Sequence, residues 1–385
     1  MPALRVLAFA ALCAALGSSA AAQSATPPAD QPALTVAGYG QAQYERLDDN
    51  AQVRDRVFFR RLYVGARFVL DDDWSGTLIV DFTPSTEGEH PIIRDAYVRY
   101  SGWSDHGVTL TIGNQKTPFS QSVLGSSRSR SVIERPFTGD RASGAPGRAI
   151  AIEADGRHRH ERVQWTAAIA SVLHAPVAGE IRLDGLAEAG GNWNEGVMAT
   201  GRAEWHPLGA VAREQGDFVR GSFRVVSGVS AYVWTNDGDR NTFTAGGAST
   251  SATNADADVV RAFELSGGLR GHGLAIDAAW SRVSSETIDP QFSGGLYRRG
   301  RATLRQFGAE GGYMIVPSRL EIVGAIDGLA ADARDATTFR PSIGTTWYLN
   351  GHRLKVSVQQ RETMNARGVR GARLHATYAQ MQVAF

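Results

Sequence analysis

The chain has 385 residues and is almost electrically neutral, because 40 Lys and Arg residues oppose 39 Asp and Glu residues for a formal net charge of +1. This balance neither favours nor excludes small anionic partners, and it gives no reason to expect nucleic acid as a partner. The single cysteine, Cys13, lies near the N-terminus, which excludes disulfides and thiol chemistry from the rest of the chain.

The first residues have the pattern of an export signal. Arg5 supplies a positive charge, residues 6–16 form an apolar stretch, and the alanines at 20–22 form a small-residue cleavage site. We therefore predict a signal peptide over residues 1–22, a short mobile leader over 23–33 and a single domain over 34–385.

The long remaining segment has the pattern of an all-β protein. It contains no apolar run that approaches the length of about 18 to 20 residues needed by a membrane helix. It shows alternating segments separated by turn residues, which indicate strands. We place sixteen of them at 34–46, 57–70, 74–83, 91–101, 107–116, 147–156, 162–171, 196–206, 219–235, 257–271, 273–285, 300–316, 318–330, 337–350, 352–364 and 372–385, with 14 or 18 strands as alternatives. An even number of strands, joined by alternating short turns and long loops, predicts a transmembrane antiparallel β-barrel.

The alternation assigns charged side chains to the inside of this barrel. In segment 57–70, Leu62 and Val64 share one face, whereas Arg61 and Arg67 share the other. Because an arginine at the middle of a bilayer costs about 2 to 4 kcal/mol, the arginines are expected to face the lumen. The same alternation of side chains between the two faces of other strands adds further candidates for the pore lining. They are Arg305, Arg353, Lys355 and Arg361. A polar lumen of this width holds water and forms a pore.

The last segment and the aromatic residues fit a bilayer. Val383 and Met381 alternate with Gln382 and Gln380, and the segment ends on Phe385, which is typical of proteins inserted into the bacterial outer membrane. We expect outer-membrane lipid around the barrel and recognition of this strand by the insertion machinery. Eight aromatic residues near strand ends are expected to form interfacial girdles, some of them alternatively filling the lumen: Trp74, Tyr100, Trp103, Trp205, Trp234, Tyr297, Trp347 and Tyr348.

Residues 117–146 form a loop that is too long for a hairpin turn. Its cations are Arg128, Arg130, Arg135 and Arg141, and Lys116 precedes it. Its apolar residues are Val123, Leu124, Val132 and Ile133. A loop with apolar residues of its own can fold against the inner wall of the barrel, where its arginines meet passing ions. The alternative is an outer loop whose cations bind the acidic lipid surface.

Several segments resemble the phosphate-selective porin O and P family. They are FFRRLYVGARF at 58–68, IRDAYVRY at 93–100, IGNQKTPFS at 112–120, SSRSRSVIERP at 126–136, TTWYLNGHRLKVSVQ at 345–359 and the final MQVAF. The resemblance implies a sixteen-stranded barrel that assembles as a homotrimer, with a third extracellular loop folded inward. It also implies that Arg60 and Arg61 correspond to paired pore arginines of the second strand, and that Arg128 corresponds to a basic position of the loop. Arg60 falls on the lipid-facing parity and needs a rim or a β-bulge to reach the lumen.

The sequence thus favours an outer-membrane porin for passive diffusion of small anions, phosphate or polyphosphate among them. A general porin for organic acids or sugars, and a plugged structural or adhesive barrel, remain alternatives. The nine histidines show no spacing typical of a metal site. We expect no cofactor, no metal and no enzymatic activity.

Overall fold

The computed structural model describes residues 33–49, 51–84, 91–158, 162–174, 180–185, 194–238 and 256–385. The predicted signal peptide, and the predicted leader except Ala33, lie outside these residues. The strands are β1 (Ala33–Asp48), β2 (Val53–Val69), β3 (Trp74–Asp81), β4 (Ile92–Tyr100), β5 (Val108–Lys116), β6 (Arg148–His158), β7 (Val163–His174), β8 (Leu183–Asp184), β9 (Asn194–Trp205), β10 (Arg224–Asn236), β11 (Ala257–Gly271), β12 (Leu274–Thr287), β13 (Arg301–Val316), β14 (Leu320–Ala331), β15 (Thr338–Asn350), β16 (Leu354–Met364) and β17 (Arg373–Ala384).

Sixteen long strands form one closed antiparallel barrel. Each long strand pairs with its neighbours in chain order, and β17 pairs with β1 to close the ring. At the seam, the Phe385 N–H donates to the Gly38 carbonyl at 3.0 Å, and the Gly38 N–H donates back at 3.1 Å. The two-residue strand β8 pairs only with the end of β7 and lies outside the ring. The predicted sixteen-stranded barrel is confirmed.

Side chains alternate between the lumen and the outer surface. In β13, Gln306 and Met314 are buried inside the barrel, whereas Phe307 and Tyr313 are exposed outside. In β2, Arg61 is buried on the lumen side and Val64 is exposed on the outer side, as the parity predicted. Because the outer face meets hydrocarbon and the inner face meets water or the loops, this alternation satisfies both environments.

The two ends of the barrel differ in their connections. The end that holds Phe385 also holds the short turns at 70–73, 272–273, 317–319 and 351–353, so it is the periplasmic end. The longer connections lie at the other, extracellular end. One exception is the periplasmic segment 206–223, which is as long as an extracellular loop.

The helices are short and lie in the connections. They comprise one α-helical turn, Gln121–Leu124, and the 3₁₀ turns Ser104–His106, Ser127–Ser129, Phe137–Gly139 and Ala366–Gly368. In the part of the chain that the structure describes, none of the helices has the length and apolar character needed to cross a membrane.

The aromatic girdle prediction is partly right. Trp74, Trp103, Trp205 and Trp347 are exposed on the outer surface, and Tyr100 packs between Trp74 and Trp103. The other three are buried inside the barrel, as the alternative of lumen filling expects: Trp234, Tyr297 and Tyr348. Trp234 and Tyr348 lie on strands of the inner wall that loops cover, whereas Tyr297 belongs to the connection between β12 and β13.

Candidate functional site

The loop between β5 and β6, residues 117–147 and called L3 below, folds into the barrel. Its Phe119 and Phe137 are buried. The Phe119 ring packs at 4.8 Å against the ring of Tyr232 from β10, and the Tyr232 hydroxyl donates to the Gly144 carbonyl at 2.6 Å. L3 therefore lies against the inner wall, and the prediction of an inward fold is confirmed.

Buried carboxylates of the opposite wall hold L3 in place. Glu264 of β11 accepts the Gln121 N–H at 2.9 Å. Glu310 of β13 forms a two-bond ion pair with Arg130, at 2.9 and 2.5 Å. The Arg130 and Glu310 side chains are only 6% and 5% exposed. Arg130 was expected to line the pore, but its charge is neutralised in this buried pair.

Lys355 also holds L3 rather than lining the pore. Its side chain is 2% exposed, and its Nζ donates to the carbonyls of Arg128, at 3.0 Å, and of Arg130. The parity prediction for Lys355 was right, since it faces the lumen. The pore assignment was wrong because L3 covers this part of the wall.

The long periplasmic segment, residues 206–223, enters the lumen from the other end. Gln215 and Asp217 are buried, and Asp217 accepts the Gly273 N–H at 2.7 Å. His352, in the turn between β15 and β16, contacts the Gln215 carbonyl at 2.8 Å. The sequence placed a strand at 219–235, whereas β10 begins at Arg224, because residues 219–223 belong to this inserted loop.

L3 leaves a water-accessible cavity of about 540 Å³ between its free side and the walls formed by β1–β6, β15 and β16. Its lining contains ten cations and three carboxylates. Three of the cations pair with carboxylates that lie just outside the lining, which leaves a net excess of four positive charges. The cations are Arg60, Arg61, Arg94, Lys116, Arg135, Arg141, Arg148, Arg182, Arg340 and Arg361. The carboxylates are Asp95, Glu134 and Asp140. Such an excess on low-dielectric walls attracts anions.

Two β-bulges increase the number of cations that face this cavity. Against β1, the pairing passes from Arg61 directly to Phe59, so Arg60 is the extra residue of β2. Against β3, the pairing passes from Asp95 to Ile93, so Arg94 is the extra residue of β4. A bulge lets adjacent residues point to the same face. Arg60 and Arg61 therefore both line the cavity, as do Arg94 and Asp95.

The cavity cations fall into two groups. Some are paired with carboxylates, for example Arg148 with Asp95 at 2.7 Å and Arg60 with Glu134 at 3.2 Å. Others donate only to neutral groups in the part of the chain that the structure describes. Arg61 donates to the Gln41 side chain at 2.7 Å, and Arg135 donates to the Ser127 hydroxyl at 2.8 Å. This second group, which also includes Lys116 and Arg361, carries the uncompensated charge.

Glu134 and Arg135 of L3 remain ionised at neutral pH. Burial raises the pKa of Glu134, but the guanidinium of Arg60 outweighs this effect and lowers the pKa to about 2. Burial, with repulsion from Arg130 and Arg61, lowers the pKa of Arg135 to about 9. Glu134 is therefore an anion and Arg135 a cation across the neutral range.

A second cavity of about 550 Å³ lies toward the periplasmic end. Lys116, Asp95 and Ser126 line both cavities and mark their junction. Five cations, Arg67, Arg99, Lys116, Arg157 and Arg213, line this space with the carboxylates Asp95, Glu153 and Asp155. The positive excess is smaller here, so the electrostatic attraction for anions is strongest beside L3.

The predicted site residues are thus only partly brought together. Arg60, Arg61, Lys116, Arg135, Arg141 and Arg361 line the main cavity, and Arg67 lines the second. The Arg128 side chain lines neither, although its carbonyl accepts hydrogen bonds from Lys355 and Gln382. Arg353 is exposed in the turn before β16.

Arg305 lies on the outer surface of the barrel, so its assignment to the pore by parity was wrong. Its neighbours Leu304 and Gln306 are buried on the inner side of β13. The rule that polar residues face inward does not hold on this wall, because L3 packs against it and makes the inner face partly apolar. Arg305 is therefore one of the side chains of β13 that face away from the lumen.

Four cavity arginines were absent from the predicted lining: Arg94, Arg148, Arg182 and Arg340. The sequence carries a signal for the first of them, because Arg94 and Asp95 are adjacent charges inside a strand, like Arg60 and Arg61. Two adjacent charges cannot both avoid lipid without a bulge. Arg340 packs 3.5 Å over the Phe137 ring of L3, a contact that strand parity alone does not predict. Among the described residues, no group of three His, Cys, Asp or Glu side chains is arranged to hold a metal ion.

Residues 35–299 match the phosphate-selective porin O and P family. The chain belongs to this family. No curated protein matches the sequence. Family membership and the closed barrel place this porin in the bacterial outer membrane as a channel-forming protein.

Solved structures of other porins share its fold. An anion-selective porin from Comamonas acidovorans is 12% identical, with a TM-score of 0.60 over 92% of this chain and 100% of that chain. A loop L8 deletion mutant of OmpT from Vibrio cholerae is 12% identical, with a TM-score of 0.59 over 92% and 100%. OprB from Pseudomonas putida is 11% identical, with a TM-score of 0.56 over 92% and 94%. At these identities the similarity shows the fold alone.

Proposed function

We propose that this porin is a passive channel for small anions, with inorganic phosphate among its solutes. The observation that carries the proposal is the main cavity beside L3, where ten cations oppose three carboxylates. The family description and the anion-selective porin with the same fold support this choice of solute. The line of cations continues through Lys116 into the second cavity, which gives an anion a route toward the periplasm.

The proposed mechanism is electrostatic. The cavity cations raise the local concentration of anions. Arginine forks such as those of Arg61 and Arg135 match the oxygens of phosphate and replace part of its hydration shell. Several weak sites in series let the ion leave as well as enter.

The proposal includes a homotrimeric assembly and recognition of β17 and Phe385 by the outer-membrane insertion machinery. Family membership supports the first, and the exposed aromatic side chain at the end of the last strand supports the second. It also includes the absence of catalytic activity and of a bound cofactor, since the proposed transport needs neither.

Single-channel recording in planar bilayers under a KCl gradient, followed by titration with phosphate, tests the function. We expect an anion-selective reversal potential and a current that phosphate reduces. The double variant Arg61→Gln with Arg135→Gln is expected to lose at least half of the anion preference. The control Arg46→Gln changes an exposed arginine on the outer face of β1 and is expected to behave like the wild type.

The other outcomes separate the alternatives. An open channel with weak selectivity and no effect of phosphate indicates a general porin. The absence of any conductance from folded protein contradicts the channel and favours a plugged barrel.

A further inference from the structure

Three arginines form a cluster on the outer surface of the barrel. Arg261 of β11, Arg282 of β12 and Arg305 of β13 are all exposed and all lie on the outward parity of their strands. Arg282 is directly opposite Arg305 in the ladder between β12 and β13. Arg261 is opposite Ser284, two residues along β12 from Arg282. Like charges directly opposite each other destabilise a sheet, so an anion bound between these arginines would relieve their repulsion.

The cluster lies at the level of the lipid headgroups. Two residues closer to the periplasm on each strand, an exposed aromatic ring occupies the outer face: Phe263, Trp280 and Phe307. Trp280 and Phe307 are directly opposite each other. Such rings mark the boundary between hydrocarbon and headgroups, and the arginines lie just beyond it on the extracellular side.

The protein itself compensates these charges poorly. Arg305 is 3.9 Å from Asp332, and both side chains are 58% exposed, so the pair is weak. Arg261 and Arg282 form no ion pair with any residue that the structure describes. By contrast, Arg373 on the outer face of β17 is 3.2 Å from Glu362. Two of the three arginines of the cluster therefore have no carboxylate partner among the described residues, and the third has only a weak one.

We infer that Arg261, Arg282 and Arg305 bind the phosphorylated headgroup of an anionic lipid in the outer leaflet of the outer membrane. Guanidinium forks bind phosphate oxygens in pairs, and basic clusters at the membrane surface bind anionic headgroups. The aromatic row below the cluster is placed to contact the acyl chains of the same lipid. A headgroup between Arg282 and Arg305 relieves their repulsion. This binding surface is separate from the pore and does not depend on the conducted solute.

The test measures retained lipid by native mass spectrometry. Wild-type protein is reconstituted in phosphatidylcholine vesicles with lipid A and extracted in mild detergent. The mass of the intact complex is then measured. We expect wild-type protein to retain lipid A, and the double variant Arg282→Gln with Arg305→Gln to retain several-fold less. The control variant Arg46→Gln with Arg373→Gln removes two outward arginines near the seam and is expected to retain lipid A like the wild type. Heat-modified migration on gels verifies that each variant is folded.

Two further arms identify the ligand. Dephosphorylated lipid A is expected to be lost from the wild type, whereas excess inorganic phosphate is expected not to displace lipid A. The variant Arg282→Lys with Arg305→Lys keeps both positive charges but lacks the paired N–H donors of the guanidinium groups. It is expected to retain an amount of lipid A between those of the wild type and the glutamine variant. Equal retention by the wild type and the glutamine variant overturns the inference. A change of oligomeric state with unchanged lipid retention also overturns it, and identifies the cluster as a contact between subunits.

Discussion

The backbone N–H of Ser131 in L3 donates a 2.8 Å hydrogen bond to the side-chain oxygen of Gln215. The side-chain nitrogen of Gln215 donates to Glu310 of β13 at 2.7 Å, and its backbone N–H donates to the Ser129 carbonyl at 2.9 Å. L3 enters the barrel from the extracellular end, whereas the 206–223 loop enters from the periplasmic end. Gln215 therefore connects the two loops inside the lumen.

Replacing Gln215 by alanine is expected to loosen L3. The change leaves the buried Ser131 N–H without its acceptor and removes one donor from Glu310, which costs about 1 to 3 kcal/mol. Single-channel recordings are expected to show larger current fluctuations, and urea unfolding is expected to show a lower midpoint. Gln360→Ala, on the exposed side of β16, is the matched control. If the current fluctuations of Gln215→Ala are no larger than those of the wild type, the other contacts of L3 are sufficient to hold it.

Removing the Arg130 side chain is expected to destabilise the protein strongly. Arg130→Ala leaves the buried Glu310 carboxylate without its cation, at a cost of about 3 to 5 kcal/mol. Arg130→Met combined with Glu310→Gln removes both charges and is expected to recover most of this loss. Arg128→Ala, in the same loop, removes a guanidinium without an ion pair among the described residues and is expected to change stability by less than about 0.5 kcal/mol. Equal unfolding midpoints for Arg130→Ala and Arg128→Ala would contradict the anchoring role.

The ion pair of Arg60 and Glu134 predicts an acid-resistant pore. The pKa of Glu134 is lowered from 4.5 to about 2, so its stabilising contribution is complete above pH 4.5 and is lost as the pH falls toward 2. Glu134 itself is therefore expected to contribute no change in the reversal potential between neutral pH and 4.5. Glu134→Gln is expected to raise the anion preference at neutral pH, because Arg60 then lacks its carboxylate. Glu362→Gln on the outer face is the control. A selectivity change near pH 4.5 that the wild type shows and Glu134→Gln lacks would refute the assignment.

Adjacent residues of β2 are expected to differ in their tolerance of arginine. Val64 is 36% exposed on the outer face, whereas Tyr63 lines the main cavity. Val64→Arg places a cation against lipid at a cost of about 2 to 4 kcal/mol near the midplane. Refolding yield into vesicles is expected to fall for Val64→Arg and to stay near the wild-type level for Tyr63→Arg. The opposite order would shift the register of β2 by one residue.

Local alternation was sufficient to predict the barrel and the inward direction of Arg61 and Arg67, because a strand's two faces are read from its own residues. The inward fold of L3 also followed from its mixture of apolar and basic residues. The role of each L3 cation did not follow. Whether Arg130 faces water or a carboxylate depends on Glu310, which is 180 residues away in the sequence.

The same dependence explains the error at Arg305. The inner side of β13 carries Leu304 and Met314 because L3 and the 206–223 loop cover that wall. Where a loop covers the inner face of a strand, that face is no longer clearly more polar than the lipid-facing face. The sequence alternation then does not show which side chains face the lumen. The insertion of the 206–223 loop was not predicted, and its hydrogen bonds to L3 are made by a single glutamine, Gln215.

The bulges at Arg60 and Arg94 have an evolutionary consequence. Inserting one codon in the middle of a spanning strand would normally turn half of its side chains to the wrong medium. Where the added residue is accommodated as a bulge, the residues on both sides of it keep their orientation, and the side chain of the added residue faces the lumen. Charged residues can thus be added to the lumen one at a time, without changes to the residues that face the lipid.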